Sequence, residues 1–137
     1  MLHRPPRRRG THLLECAVVV PVLFLLLFGL LVGALGVFRY QQVASLAREG
    51  ARYASVHGSQ YQEVTGKPAA TAADVYTNAI APRAVILDPS QLSSSVTWNP
   101  DNRQGSTVTV QVTYQWVPEA YLGGLTLSST STTPMSY

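Results

Sequence analysis

The longest apolar stretch of the 137-residue chain lies near its N-terminus. It runs from Cys16 to Phe38, 23 residues without a charged side chain, and it contains Pro21. A helix of this length covers about 35 Å at about 1.5 Å per residue, enough to cross the hydrocarbon core of a bilayer, which is about 30 Å thick. Membrane helices tolerate a proline, because neighbouring groups satisfy the freed carbonyl. The stretch therefore predicts one transmembrane helix over residues 16–38.

The helical pattern continues beyond the predicted membrane surface. Residues 39–56, RYQQVASLAREGARYASV, contain no proline and only one glycine, and their apolar residues recur at helical spacing. We therefore expect a single helix from about residue 12 to about residue 56. A stripe with alternating spacings of four and three, as in a heptad repeat, runs through both parts. Its members are Gly29, Gly33, Gly36, Tyr40, Val43, Ala47, Gly50 and Ala54.

The small residues of this stripe predict close packing. Gly29 and Gly33 form a pair that lets another membrane helix approach, although glycine is common in membrane helices and such pairs arise by chance. Gly50 indicates packing more strongly, since glycine in an exposed helix costs about 1 kcal/mol relative to alanine. Beyond the membrane, the expected neighbour is either a sheet or a partner helix.

Residues 57–137 predict a small α+β domain. The segment 57–67, HGSQYQEVTGK, is typical of a loop, and residues 72–80 have the apolar spacing of an amphipathic helix. Thr71 and Asp74 form a capping-box pattern at the start of that helix, and Pro82 follows its end.

The last third of the chain predicts a three-stranded antiparallel sheet. Apolar and polar residues alternate without exception from Val108 to Trp116, which predicts a strand with one buried face. A shorter partner includes Val96 and Trp98, and a weaker third strand begins at Leu125, before a tail that we interpret as simply polar. Such a sheet needs its apolar face covered. The alanine and glycine face of the long helix is the expected cover.

The charge distribution predicts the orientation. Arg4, Arg7, Arg8 and Arg9 precede the span, whereas the six basic residues after it are balanced by six acidic ones. Short flanks rich in arginine stay cytoplasmic. We therefore expect a cytoplasmic tail over residues 1–15, an extracytoplasmic domain over residues 57–137, and no nucleic-acid partner, since the net positive charge comes from the tail.

Two other interpretations of the apolar stretch were weighed. A cleaved signal peptide has an apolar core of about 7–15 residues, and Val32-Gly33-Ala34 resembles its cleavage site. The apolar stretch before that site is longer, and apolar character continues to Phe38, which favours a retained anchor. Cys16 stands at the start of the stretch, whereas a lipidated cysteine follows one. As the only cysteine, it also excludes an intrachain disulfide.

The sequence offers no pattern for catalysis. The three histidines, His3, His12 and His57, lack metal-ligand spacing, and the chain contains no glycine-rich phosphate loop or nucleophile elbow. Tyr114 and Trp116 are expected in the core of the sheet. We therefore predict a non-enzymatic protein without a metal, a cofactor or a small-molecule substrate.

Three segments, in this order along the chain, resemble the pseudopilins of the tight-adherence (Tad/Flp) pilus system, specifically the TadE-like family. They are RRRGTHLLE, the proline-interrupted AVVVPVLFLLLFG, and LAREGARYASV at residues 46–56, of which the last is the most distinctive. The resemblance covers about residues 7–56, and the later part matches only in kind. It implies a pilin-like architecture for the α+β chain.

The resemblance implies roles for two residues at the start of the helix. Related pilins are cut after a glycine by a membrane aspartyl prepilin peptidase and carry glutamate at the fifth mature position. The implied cut falls between Gly10 and Thr11, and Glu15 becomes the fifth residue, which in related pilins pairs with the terminal ammonium of a neighbouring subunit. A position at the headgroup boundary, where a charge costs little, also explains Glu15. Cys16 stands where the pilin motif usually carries tyrosine or phenylalanine.

The implied function is that of a minor pilin or assembly factor of a Tad-type pilus or secretion system in the bacterial inner membrane, working by helix–helix packing. Its implied partners are other pilin-like subunits, the inner-membrane assembly platform, a prepilin peptidase and membrane lipid. A different class of protein also fits the pattern, namely a signal-anchored extracytoplasmic binding module unrelated to pili.

Overall fold

The computed structural model describes residues 9–118 and 123–136, with side chains from residue 13 onward. A long helix is followed by short helices and a three-stranded antiparallel sheet, so the α+β class is confirmed. The helices are α1 (Arg9–Val56), α2 (Ser59–Thr65) and α3 (Ala72–Val75), and α3 continues as a π-helical turn (Tyr76–Ile80). Short 3-10 turns follow at Ala81–Arg83 and Pro89–Gln91. The strands are β1 (Leu92–Asn99), β2 (Thr107–Trp116) and β3 (Leu125–Pro134).

The chain divides into two compact units between Leu35 and Gly36. The described part of the first unit is the apolar portion of α1, and none of its side chains from residue 13 to residue 35 is buried. Among the residues that the structure describes, α1 is the one helix that is long and apolar enough to cross a membrane. Exposed leucine, valine and phenylalanine side chains in such number need a lipid or protein environment, which is what a membrane anchor has.

The second unit packs the rest of α1 against the sheet. β2 is the central strand, paired with β1 on one side and β3 on the other. Its side chains alternate between buried and outward positions, as the sequence predicted. The buried ones are Val108, Val110, Val112, Tyr114 and Trp116, each at most 4% exposed. Because one face of the sheet lies against α1, the predicted cover is confirmed.

The predicted capping box is also present. The Thr71 N–H donates to Asp74 Oδ2 over 2.9 Å, and the Asp74 N–H donates to Thr71 Oγ1 over 3.3 Å. The hydrogen bond from the backbone N–H of Thr71 stabilises the carboxylate most, and the bond from its hydroxyl adds to this. Together they lower the pKa of Asp74 below its ordinary value. The helix that follows carries Val75 and Ile80, both fully buried, into the core.

The loop prediction for residues 57–67 was wrong over Ser59–Thr65, which form α2. No side chain of α2 is buried, so no apolar periodicity marks it in the sequence. Its first turn is held by a distant carbonyl, since both the backbone N–H and the hydroxyl of Ser59 donate to Asn102 O, over 2.8 Å and 2.6 Å. It ends at Gly66, whose φ of 71° places it in the left-handed region that glycine adopts without strain.

The predicted third strand is confirmed, but it extends through the tail that was interpreted as simply polar. β3 continues to Pro134 and pairs with β2 along its whole length. On the outer face, hydroxyl and amide groups bond across the strands. These include Thr109 Oγ1 with Thr132 Oγ1 at 2.9 Å, and Thr126 Oγ1 donating to Gln115 Oε1 at 2.9 Å. Serine and threonine therefore occupy both faces of a strand that backbone pairing holds in place.

Candidate functional site

The part of the stripe that follows Gly36 lies mostly inside the domain. Val43, Ala47, Gly50 and Ala54 are all buried. A Cβ added at Gly50 would lie 3.1 Å from Val110 Cγ1 and 3.3 Å from Ile80 Cδ1. These small residues thus admit the chain's own sheet and short helix. Of the two neighbours expected from the sequence, the sheet is the one that occupies this face.

The buried face of α1 is wider than the predicted stripe. Leu46, Ala51 and Ser55 are buried beside the stripe, whereas Tyr40, a predicted member, is 47% exposed. A sheet is flat and covers a broad arc of a helix, so adjacent positions such as 46 and 47 are buried together. The contact between two helices is narrower, and the heptad-like spacing predicted only that narrower set of residues.

The stripe in the first unit has different surroundings. In the part of the chain that the structure describes, no atom outside the local helix lies within 4 Å of a Cβ added at Gly29 or Gly33. The side chains around these glycines, among them Phe28, Leu30 and Leu31, are more than 60% exposed. The face that contains Gly29 and Gly33 is therefore open for lipid or for another helix.

The predicted processing region lies at the beginning of α1. Gly10 and Thr11 belong to α1 by their backbone, while the side chain of Thr11 and all of residues 1–8 lie outside the described part of the chain. Glu15 is exposed and follows Thr11 by four residues, which is just over one helical turn. Cys16 is an exposed free thiol. The geometry thus places Glu15 on the apolar helix, one turn from the predicted cleavage site.

Polar contacts connect α1 to the rest of the second unit, and the sequence did not predict them. Arg39 Nη1 donates to the Tyr114 hydroxyl over 3.3 Å, and the Arg39 guanidinium lies 5.5 Å from the centre of the Trp116 ring. Further along α1, Arg83 Nη1 and Glu49 Oε2 form an ion pair at 3.2 Å. Partners more than 30 residues apart carry no local signal, so only the fold reveals these contacts.

His57 has a structural position at the end of α1. Its Nδ1 donates to the Tyr53 carbonyl over 2.8 Å, and its ring stacks on the Tyr53 ring with centroids 4.0 Å apart. The histidine therefore satisfies one of the last carbonyls of the helix. Among the described residues, no group of three or more histidine, cysteine, aspartate or glutamate side chains is arranged to hold a metal ion.

Comparison with known proteins places the similarity on α1. Residues 10–52 match the family model described as TadE-like protein, which confirms the resemblance to the TadE-like family and connects the chain with the Tad pilus system. No curated protein and no solved structure matches the chain. The matched segment begins at the glycine of the predicted cleavage site and ends at Arg52, an exposed residue in the second-unit part of α1.

Proposed function

We propose that this chain is a minor pilin or assembly factor of a Tad-type pilus or secretion system, anchored in the bacterial inner membrane by α1. The observation that carries the proposal is the TadE-like match over residues 10–52, because it coincides with the helix and not with the sheet domain. In this role the chain acts by packing against other helices and catalyses no reaction.

The uncovered membrane half of α1 supports this mechanism. In a bilayer, helices gain little from burying apolar side chains, so association depends on close backbone approach at small residues. Gly29 and Gly33 lie about one helical turn apart, and no atom of residues 9–118 or 123–136 outside the local helix lies within 4 Å of a Cβ added at either. In our proposal, this face receives the helix of another pilin-like subunit or of the assembly platform.

The N-terminal end of α1 supports a second contact. Cleavage between Gly10 and Thr11 by a prepilin peptidase removes four arginines and leaves a new terminal ammonium, with Glu15 as the fifth residue. A carboxylate in apolar surroundings is costly unless it is paired with an opposite charge. Glu15 would then pair with the ammonium of a neighbouring subunit during assembly, as the resemblance implies.

The proposed orientation follows from the arginines. A cytoplasmic N-terminus presents Gly10 and Thr11 to a peptidase at the inner face of the membrane, and it places residues 57–137 on the outer side. In this arrangement, the part of α1 from Gly36 onward packs against the sheet of the extracytoplasmic domain. The membrane part remains available for assembly partners.

N-terminal sequencing of the mature protein tests the processing step. Our proposal predicts that the mature chain begins at Thr11 and that a Gly10→Val variant keeps its arginines. A mature chain that begins at Leu35 would indicate a cleaved signal peptide, and an intact N-terminus would indicate a simple anchor. Either result contradicts processing by a prepilin peptidase.

A deletion strain tests the pilus role separately. We expect loss of pili and of surface adhesion, with recovery when the wild-type gene is returned. Neighbouring genes for a secretion ATPase, platform proteins and a prepilin peptidase would agree with this role. A strain that keeps normal pili and adhesion, from a locus without such genes, would favour a signal-anchored binding module instead.

A further inference from the structure

The three-stranded sheet has two edges, and both lack the protection that exposed edges usually carry. β1 and β3 are the edge strands, because β2 lies between them. Natural edge strands are short, charged, bulged or interrupted by proline, which keeps their free backbone N–H and C=O groups from pairing with another chain. β3 is instead ten residues long and β1 eight, whereas strands are usually about 5–6 residues long. Both edges therefore offer a long surface for pairing.

β3 is uncharged and regular along its whole length. Its sequence, LTLSSTSTTP, contains no charged residue, and its one proline, Pro134, is its last residue. The register with β2 is continuous from Leu125 to Pro134, so no bulge bends the strand. About half of the backbone N–H and C=O groups of an edge strand point away from its neighbour. Within residues 9–118 and 123–136, only β2 forms hydrogen bonds with the backbone of β3.

Each edge also carries apolar side chains that the fold leaves partly uncovered. β1, with the sequence LSSSVTWN, is uncharged as well. Its Val96 and Trp98 pair with buried valines of β2 and lie on the same face of the sheet, yet both are only half-buried. On β3, Leu125 pairs with the buried Trp116 and is 52% exposed. A further strand alongside either edge would cover such side chains and satisfy the free backbone groups.

The direction of the strands limits which edges can meet. β1 and β3 are both antiparallel to β2, so they run in the same direction as each other. A Cβ added at Gly36 would meet Trp116, at the end of β2, and one added at Gly50 would meet Val110, in its middle. From Gly36 onward, α1 therefore also runs antiparallel to β2 and in the direction of β1 and β3.

Two pairings differ in what they do to α1. Antiparallel pairing of β3 with the β3 of a second copy would make the α1 helices of the two copies run in opposite directions. Parallel pairing of β3 with the β1 of a second copy keeps both α1 helices in one direction and on one face of a joint sheet. Copies of one anchored chain cross the membrane in the same direction, and each enters its second unit at Gly36. The anchor thus favours the pairing of β3 with β1.

We propose that β3 of one copy of this chain pairs with β1 of a second copy, as parallel strands, so that the two sheets join. No charge opposes this contact, because neither strand contains a charged residue. The inference rests on the proposed membrane anchor and not on the pilus role. Because unlike edges meet, each copy keeps one free edge, and the sheet can extend beyond two chains.

Crosslinking of single cysteines in the full-length chain tests this pairing. All variants carry Cys16→Ser, which removes the only native thiol. Ser95 on β1 and Thr130 on β3 both pair with Gln111 and are exposed, so they stand at the same level on the two edges. Chains with Ser95→Cys and chains with Thr130→Cys are mixed in lipid vesicles, floated on a density gradient and treated with a short bis-maleimide. Cysteines at positions 93 and 97 allow for a stagger between the strands.

We expect the yield of crosslinked dimer from the mixture to be several-fold above that of either variant alone. Gln104→Cys, at an exposed position between β1 and β2, replaces Ser95→Cys in a control that measures random collision. Unchanged thermal unfolding shows that each variant keeps its fold. A yield at the collision level for positions 93, 95 and 97 overturns the pairing and leaves the anchor intact. Dimers from Thr130→Cys alone indicate contact between two β3 strands and also overturn it. Protein that does not float overturns the anchor and the pairing together.

A lysine on the edge provides an independent check. Ser131 pairs with the buried Val110, and its side chain is half-buried on the inner face of β3. Ser131→Lys in the Thr130→Cys chain adds an inward-pointing charge, which is one of the devices that keep natural edges from pairing. We expect the crosslinking yield to fall to the collision level, whereas Gln62→Lys on the exposed surface of α2 should leave it unchanged. An undiminished yield with Ser131→Lys would contradict pairing through β3.

Discussion

The two halves of α1 carry the same spacing of small residues in different surroundings. From Gly36 to Val56, the chain's own sheet covers them, and Gly50 lies in the core between Val110 and Ile80. From Leu13 to Leu35, no side chain is buried, and a Cβ added at Gly29 or Gly33 would meet no atom of the described residues within 4 Å. The comparison shows that small residues at helical spacing predict close approach, whereas the rest of the fold decides which neighbour approaches. Among the described residues, the chain's own fold leaves the small residues of the membrane half uncovered.

The largest expected effect comes from filling the covered half. Gly50→Leu adds a branched side chain where a Cβ alone would be 3.1 Å from Val110 Cγ1. Overpacking of a core costs about 1–3 kcal/mol or more, and the gain in helix propensity returns only about 1 kcal/mol. We expect a net loss of about 2 kcal/mol in the free energy of unfolding, measured by denaturant titration in detergent micelles. A variant as stable as the wild type would mean that the sheet does not cover this face.

A smaller effect is expected at the boundary between the two halves. Gly36→Leu pushes against the far edge of one ring, that of Trp116, whereas Gly50 meets two branched side chains, Val110 and Ile80. We expect a net loss of about 1 kcal/mol or less after the gain in helix propensity. The emission of Trp116 should shift, measured in a Trp98→Phe background so that one tryptophan remains. Unchanged emission would place the boundary further along α1.

The pH dependence of the capping box at Thr71 gives a still smaller effect on the stability of the sheet domain. The pKa of Asp74 lies below its ordinary value of 3.8, because the Thr71 backbone N–H and hydroxyl stabilise the carboxylate. This contribution to stability is present above about pH 3.8 and is lost as the pH falls through the lowered pKa of the folded state. Asp74→Ala should therefore be less stable than the wild type at neutral pH, and the difference should narrow on acidification. A difference that does not change with pH would contradict the capping role.

The smallest effect on folding is expected in the open half. No atom of the described residues lies within 4 Å of a Cβ added at Gly33, so Gly33→Leu should leave the free energy of unfolding of the sheet domain within about 0.5 kcal/mol of the wild type. Circular dichroism and denaturant titration in the same micelles provide the measurement, with Gly50→Leu as the matched control. A loss at position 33 comparable to that at position 50 would remove the distinction between the two halves.

Sequence periodicity predicted the parts of the fold in which burial follows a simple period. The long helix, the alternation of β2 and the capping box at Thr71 all have local patterns, and the structure confirms them. β3 escaped full prediction because its half-buried positions beyond Leu127 are serine and threonine, which show no contrast in hydrophobicity. α2 escaped because a tertiary hydrogen bond to Asn102 O, and not an apolar face, holds its start.

For the candidate site too, the sequence predicted only the features that follow a local pattern. Spacing alone identified the small residues of α1 but left open whether a sheet or a helix covers Gly50, because both need the same close approach. The contacts of Arg39 with Tyr114 and Trp116 join residues 75 or more positions apart, and no local pattern reveals them. The roles of Gly10, Thr11 and Glu15 rest on the resemblance to pilins and stay predictions.

The most direct test of the proposed assembly role is piliation of a strain that carries Gly33→Leu. Pili are counted by electron microscopy, and the amount of membrane-inserted protein is measured in the same cells. We predict wild-type amounts of folded, membrane-inserted protein and a large loss of pili, because leucine keeps a second helix from approaching Gly33. Normal pili at normal protein levels would contradict the claim that the open half of α1 is the assembly surface.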